Sequence, residues 1–445
     1  MILSSLLLLF ACTKESNDSQ QVQLSPGLIS MVTEAMTDIM VHDITNPPLA
    51  ARFYAYSLIS GNEVLALSDE EVQSFQGLLN EFPEIVPAKG LNGHHPALSS
   101  LLAVIETAMV LQPSGNLLEE TRQALLDSCL NLGISKQRIK NSEQVANAIS
   151  EQVLAYAKSD KYNRISNYPR YQPKGEEGFW YPTPPGYFAP VEPYFNTLRP
   201  LTLDSPSQFK PLPPAAYHPE EGEPFFEMLT EVYKVELSEE NRAIAAFWDC
   251  NPFALEESGH LMVGLKQISP GGHWIGITGI ACEKADLTFS KAMEIHAVVA
   301  IGLMDGFMAC WDEKYRSDRI RPESAIRKHM DPSYRPLLQT PPFPEYLSGH
   351  STISTTSAVI LTNFFGEGFA FTDTVEEKYG LGTRDFPSFL EAAEEASISR
   401  LYGGIHFMDA IRNGQDQGRE VGQWVLKSLY ANPLSPSGNQ ALAKD

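Results

Sequence analysis

Three short stretches, far apart in the chain, carry residue types suited to holding a tetrahedral oxyanion. The first, KYRSDRIRPESAIRKH (314–329), packs six of the 33 Lys and Arg residues into sixteen positions of a chain whose formal net charge is -22. Within it, Lys314 and Arg321 stand seven residues apart and Pro322 follows. Two helical turns, or one turn and an extended exit, could aim both cations at one spot, although a charged helix end is the commoner explanation. In the second, PPFPEYLSGHSTIS, a Pro-rich approach gives way at Ser348-Gly349-His350 to a helix. A helix N-terminus offers free N–H groups and partial positive charge, glycine admits a ligand close to the backbone, and a serine hydroxyl adds a donor. His350 in the first turn could exchange a proton with the bound group. The plainer reading makes Ser348 an N-cap and His350 an exposed polar residue. In the third, SRLYGGIHFMDA, Arg400 and His406 flank two glycines that allow a sharp turn. A guanidinium fork matches two oxygens, and an imidazole serves as nucleophile or metal ligand. Taken singly, a structural ion pair and a surface histidine would account for both.

Taken in order, K-x6-R-P, S-G-H and S-R-x5-H resemble the three-part signature shared by vanadium-dependent haloperoxidases and the type 2 phosphatidic acid phosphatase superfamily, bacterial acid phosphatases included. Beyond the motifs the likeness runs over roughly Ala246 to Val425, including FWDCNPF and ISPGGHW, and is similar to the bacterial haloperoxidase branch. The resemblance implies an all-α fold in which helical bundles gather the three segments. It also implies that Lys314, Arg321 and Arg400 neutralise vanadate oxygens while Ser348 and the Gly349 amide hydrogen-bond them. His406 would bond to the metal and His350 would act in acid–base transfer. Hydrogen peroxide and a halide, iodide first and bromide second, would be the substrates and hypohalous acid the product, with vanadium acting as a Lewis acid. Trp311 and Phe343 resemble a halide-facing wall, or are simply core aromatics. Phosphate shares the shape and charge of vanadate and could replace it. The same cage would then serve an acid phosphatase, with His406 attacking phosphorus and His350 protonating the leaving oxygen. A non-catalytic oxyanion-binding lipoprotein is a third reading.

Two departures from the family pattern stand out: Leu347 occupies the position before S-G-H that is often proline, and Ala410 the position after His406 that is commonly aspartate. Asp409, one residue earlier, or some other acceptor must then orient the His406 ring. The remaining cations of the first stretch, Arg316, Arg319, Arg327 and Lys328, are expected to pair with neighbours such as Asp318 and Glu323, or to steer anions inward.

The elements that must position these groups are helical. Apolar residues recur at helical spacing in ISMVTEAMTDIMVHDI, AARFYAYSLISGNEVLAL, ALSSLLAVIETAMVL, LLEETRQALLDSCLNLG and SEQVANAISEQVLAYAKS. They recur again in SEENRAIAAFWD, where Ser238 is a candidate N-cap, and in FSKAMEIHAVVAIGLMDGFMACWDEKY, which delivers Lys314 at its end. FPSFLEAAEEASISRLY stops at Gly403-Gly404, and a last helix spans roughly His406 to Leu429. Fourteen of the 32 prolines lie between Pro169 and Pro224, interleaved with aromatics, which predicts an ordered but irregular segment draped over the helices. The expected organisation is therefore an N-terminal helical region over 26–165, a Pro/aromatic-rich connector over 166–224, a catalytic helical region over 225–432 and a tail over 433–445.

Length and a 43% hydrophobic composition suit a globular chain with a sizeable core, and the acidic balance argues against a nucleic-acid partner. No apolar run is read as a membrane span, since Asp305 interrupts the most apolar stretch, Ala297 to Cys310. The short apolar run ending in LFAC fits an export signal over 1–11 with a bacterial lipoprotein box, although a basic start is lacking. Cys12 would then be lipidated and 12–25 a flexible tether, placing the protein at the periplasm, outer membrane or cell surface. The other cysteines, Cys129, Cys250, Cys282 and Cys310, form no CxxC pair and read as buried free thiols.

Overall fold

The computed structural model describes residues 22–87, 92–258, 261–264 and 267–430, so Cys12, the signal and the tether up to residue 21 lie outside the described residues, as does the tail. Among the described residues there are thirteen α-helices and two short antiparallel hairpins. The helices are α1 (Gly27–His42), α2 (Pro47–Ala66), α3 (Pro96–Leu111), α4 (Leu118–Asn131), α5 (Lys136–Ser159), α6 (Pro224–Tyr233) and α7 (Glu239–Phe247). After the first hairpin, β1 (Leu255–Ser258) with β2 (Leu261–Gly264), come α8 (Pro270–Lys284), α9 (Phe289–Ser317), α10 (Pro322–His329) and α11 (Gly349–Phe365). The second hairpin, β3 (Phe371–Asp373) with β4 (Arg384–Phe386), precedes α12 (Phe389–Tyr402) and α13 (Met408–Leu429). The expected all-α architecture holds. Helices α6 and α10, only 10 and 8 residues long, are too short to stand out by spacing, and α8 and both hairpins were not expected either.

Capping follows the local chemistry. Ser238 accepts from the Asn241 amide, Ser348 from the Ser351 amide and Ser388 from the Glu391 amide. The 29-residue helix α9 is the axis of the fold, packing against α2 and α8 and also against α11 and α13. Its most apolar window reaches a mean hydropathy of 1.5, enough by length and composition to cross a membrane, yet that window is entirely buried in protein. The expected interruption at Asp305 has a structural explanation: the buried carboxylate accepts from the Leu201 and Thr202 amides at 2.7 Å each and from the Thr202 hydroxyl at 2.6 Å. Those bonds tie the connector to the core. The connector is pinned again where Trp180 N donates to Asp318 O (2.9 Å) and Val191 N to Pro342 O (3.1 Å). It is thus ordered without regular strands or long helices.

One glycine stripe sets the approach of α11 to α13. A Cβ at Gly414, Gly418 or Gly422 would lie 2.9, 2.4 and 3.0 Å from the carbonyl oxygens of Ser348, Thr352 and Thr356. Only glycine lets α13 lie this close to the first three turns of α11. That contact places the N-terminus of α11 beside the start of α13, where His406 sits.

Candidate active site

The three segments converge. Lys314 lies in the last turn of α9, Arg321 is the N-cap of α10, Ser348 the N-cap of α11, and Arg400 lies in the last turn of α12. His406 sits in the short link to α13, made possible by the positive φ of Gly404 (+73°). Gly349, His350, Arg400 and His406 line one cavity of about 30 Å³ together with Trp311, Phe343 and Cys250. Arg321 reaches this cavity through His406: its Nη1 lies 3.2 Å from His406 Nε2 and 3.0 Å from the Ile405 carbonyl. Its Nη2 is buried with no partner.

His406 is oriented by Glu345, which sequence reasoning did not identify. Its Nδ1 lies 2.8 Å from Glu345 Oε1, which also accepts from the Phe407 amide at 3.0 Å. A carboxylate can only accept, so Nδ1 carries the proton and the Nε2 lone pair faces Arg321. Asp409 does not touch the ring. It holds Arg319 with bonds of 2.6 and 2.7 Å, while Arg319 Nε donates to Glu345 Oε2 at 2.6 Å. The orienting chain therefore runs Asp409–Arg319–Glu345–His406. Arg319, expected only to pair or to steer, belongs to the support of the site. The other bystanders pair as cations should, Arg316 with Asp312 (2.7 Å), Arg327 with Glu323 (3.4 Å) and Lys328 with Glu177 (2.5 Å). Asp318 takes none of these arginines and lies 3.5 Å from Lys174 instead.

Lys314 differs from expectation. Its three ammonium protons are taken by the carbonyls of Pro344 (3.0 Å), Glu345 (3.1 Å) and Leu347, so it acts on the cavity through charge rather than a free N–H. Those bonds also fix the approach to Ser348, where Leu347 replaces the usual proline. Burial, with nearby Arg321, pushes Lys314 down to about 7. Burial likewise lowers Arg321 to about 10 and lowers Arg400. Burial would lower Arg319 as well, but Glu345 and Asp409 outweigh it and hold the guanidinium charged.

Both histidines are neutral at ordinary pH. Burial, then the cations Arg321, Lys314 and Arg400, hold His406 well below the usual imidazole range. Burial, then Arg400 and His406, do the same for His350, whose Nε2 is shut from solvent without a partner. Arg400 Nη2 donates to the Trp248 carbonyl at 2.5 Å, and burial raises the adjacent Asp249 to about 6 against the opposing pull of Arg400. Asp249 and the Trp248 carbonyl lie in FWDCNPF, a stretch to which the sequence alone gave no role. The Trp311 and Phe343 rings meet at a tilt of 49° with centroids 5.0 Å apart, and the Phe343 ring carries Lys314 Nζ and Arg321 Cζ at 5.0 Å each. The surplus of buried cations, the unpartnered Arg321 and His350 atoms, the free first-turn amides of α11 and a neutral imidazole lone pair together fit a multiply charged tetrahedral oxyanion.

Comparison with known proteins bears on this cage. Residues 294–432 match the family model of the VCPO second helical-bundle domain. The crystal structure of the first bacterial vanadium-dependent iodoperoxidase is similar at 38% identity and a TM-score of 0.85, covering 92% of this chain and 98% of that one. The holo form of a bacterial vanadium-dependent chloroperoxidase shares the fold at 13% identity and a TM-score of 0.66, covering 94% of this chain and 100% of that one. The apo form of a bacterial vanadium-dependent chloroperoxidase does so at 14% identity and a TM-score of 0.62, covering 86% and 94%. No curated protein sequence matches.

Proposed function

Given that this chain belongs to the bacterial vanadium-dependent haloperoxidases, we propose that it oxidises iodide, and less readily bromide, with hydrogen peroxide to hypohalous acid, using vanadate. The observation that carries the cofactor assignment is the neutral His406 Nε2 lone pair beside an unpartnered Arg321 Nη2 in a cavity walled by Arg400 and Gly349. His406 would ligate the metal. Arg321, Arg400, the Ser348 hydroxyl and the Gly349 amide would hold its oxygens, and Lys314 would add charge from behind. Vanadate, once bound, supplies a Lewis-acid centre that activates peroxide toward halide without a change of oxidation state.

The remaining chemistry falls to this chain's own groups. Glu345 keeps the proton on His406 Nδ1, so the Nε2 lone pair stays turned toward Arg321 beside the cavity. His350, neutral and with Nε2 unpartnered, can take a proton from peroxide and return it to the departing oxygen. Trp311 and Phe343 strip water from the halide on the apolar wall of the cavity. Iodide loses the least hydration on entry and is the most readily oxidised, and the 38% identical relative is an iodoperoxidase.

The test is steady-state oxidation of iodide, bromide and chloride by vanadate-loaded protein, beside p-nitrophenyl phosphate hydrolysis by unloaded protein. The expected order of kcat/KM is iodide, bromide, chloride. Bromide equalling iodide would remove the halide assignment. Phosphatase turnover without halide oxidation after loading would remove the whole proposal. Trp311→Ala and Phe343→Ala should raise KM for iodide more than KM for peroxide. Export and lipid anchoring through Cys12 belong to the same proposal, and recovery of Cys12→Ala in the soluble rather than the membrane fraction checks them.

A further inference from the structure

A second group of buried ligand-type side chains lies beside the oxyanion cavity. Cys250 follows α7, His273 is in the first turn of α8 and Glu376 follows β3, and all three are buried. Cys250 Sγ lies 3.5 Å from His273 Nδ1 and 3.8 Å from Glu376 Oε1, and His273 Nδ1 lies 3.3 Å from Glu376 Oε1. A tetrahedral zinc ion with bonds of about 2.3 Å to sulfur and about 2.0 Å to nitrogen and oxygen spaces its ligands by roughly 3.5 Å for S–N, roughly 3.5 Å for S–O and roughly 3.3 Å for N–O. The S–N and N–O separations observed here match that pattern, and the S–O separation is somewhat longer.

The far side of the imidazole agrees with it. His273 Nε2 lies 2.7 Å from Asp373 Oδ2, and Asp373 is itself fully buried. This is the carboxylate–imidazole arrangement that fixes the tautomer of a metal-binding histidine. With the Nε2 proton given to Asp373, the Nδ1 lone pair would face a carboxylate oxygen at 3.3 Å, which is repulsive unless a cation lies between them. A divalent ion with a thiolate and a carboxylate is electrically neutral, which suits a site removed from water.

We infer that Cys250, His273 and Glu376 bind one divalent metal ion of zinc type, with Asp373 positioning His273. Binding converts the Cys250 thiol to a metal thiolate and releases its proton to solvent. The ion staples together three segments distant in sequence. One of them carries Trp248, whose ring stacks on His273 at 4.6 Å and whose carbonyl receives Arg400 Nη2. The metal would thus hold the strut behind Arg400 without touching the oxyanion. The rival cation is a proton on His273 Nδ1, which Asp373 favours against the cost of burial.

The experiment measures zinc and vanadium separately by mass spectrometry in the full chain, before and after incubation with zinc sulfate and removal of excess ion. The expected result is one zinc per chain whether or not vanadium is bound. Cobalt incubation should give a thiolate-to-cobalt charge-transfer band that is lost in Cys250→Ser. Asp373→Asn should weaken zinc binding by about 10- to 100-fold, and Glu376→Gln, which keeps the side-chain volume, should also weaken it. These two variants carry the test if Cys250→Ser does not fold. Folded protein that takes up neither zinc nor cobalt, or a cobalt band that survives Cys250→Ser, overturns the assignment and leaves the proton as the occupant.

Discussion

Glu345→Gln is the sharpest probe of how the site is built. The carboxylate accepts from His406 Nδ1 (2.8 Å) and the Phe407 amide (3.0 Å) on one oxygen, and from Arg319 Nε (2.6 Å) on the other. An amide has the same shape but must turn its NH2 toward one of these donor groups. Facing Arg319, it sets donor against donor around a buried guanidinium. Facing His406, it moves the imidazole proton to Nε2 and removes the lone pair from the cavity. A hydrogen bond to a charged group is worth about 1.5–3 kcal/mol and a neutral one about 0.5–1.5 kcal/mol, so the difference is about 1–2 kcal/mol. Changes behind a metal ligand commonly weaken metal binding about 10- to 100-fold, or about 1.4–2.8 kcal/mol. Calorimetric titration with orthovanadate should therefore show Kd raised about 10- to 100-fold in Glu345→Gln. Asp409→Asn should have a smaller effect, because Asp409 reaches His406 only through Arg319. Unfolding temperatures measured without vanadate separate a lost fold from lost affinity. A Glu345→Gln protein that binds vanadate like wild type, or an Asp409→Asn protein that loses more, would refute the orienting chain.

Three further outcomes follow from the same geometry. Lys314, held at about 7 by burial, must be fully protonated beside a bound anion, so binding draws in a proton above that pH and affinity falls as pH rises past 7. Calorimetry at pH 8 in buffers of different ionisation enthalpy should show close to one more proton taken up by wild type than by Lys314→Met. Gly418→Ala places a Cβ 2.4 Å from the Thr352 carbonyl oxygen. Forcing α13 from α11 should cost about 1–3 kcal/mol in denaturant unfolding, and it should weaken vanadate binding because the N-terminus of α11 moves. Asp305→Ala removes the acceptor of the Leu201 and Thr202 amides. Hydrogen exchange should quicken at 200–204 while α9 stays protected, and uniform loss of protection would show that the connector does not open on its own.

Much of this fold is legible along the chain because its signals are local. Helical spacing of apolar residues foretells α1 to α5, α9, α12 and α13, and the serines at 238 and 348 mark helix starts that the structure caps as expected. Helix α8 escaped because PGGHWIGITGIACEK is buried on nearly every side and glycine-rich, which leaves no polar face to set a period. Asp305 read as an interruption because its partners lie about a hundred positions upstream. The site divides along the same line. Residue types and spacings offered Lys314, Arg321, Ser348, Gly349, His350, Arg400 and His406 as candidates, and the resemblance of the three ordered segments to the haloperoxidase signature singled them out. They could not say which carboxylate orients His406: Asp409 is near in sequence, but Glu345, 61 residues away, is near in space. Nor could they show that Lys314 spends its protons on carbonyls, or that Cys250, His273 and Glu376 meet. Spacing reveals what a segment can present, whereas partner choice among buried charges depends on which segments the glycine-thinned packing of α11, α13 and α9 brings within hydrogen-bond reach.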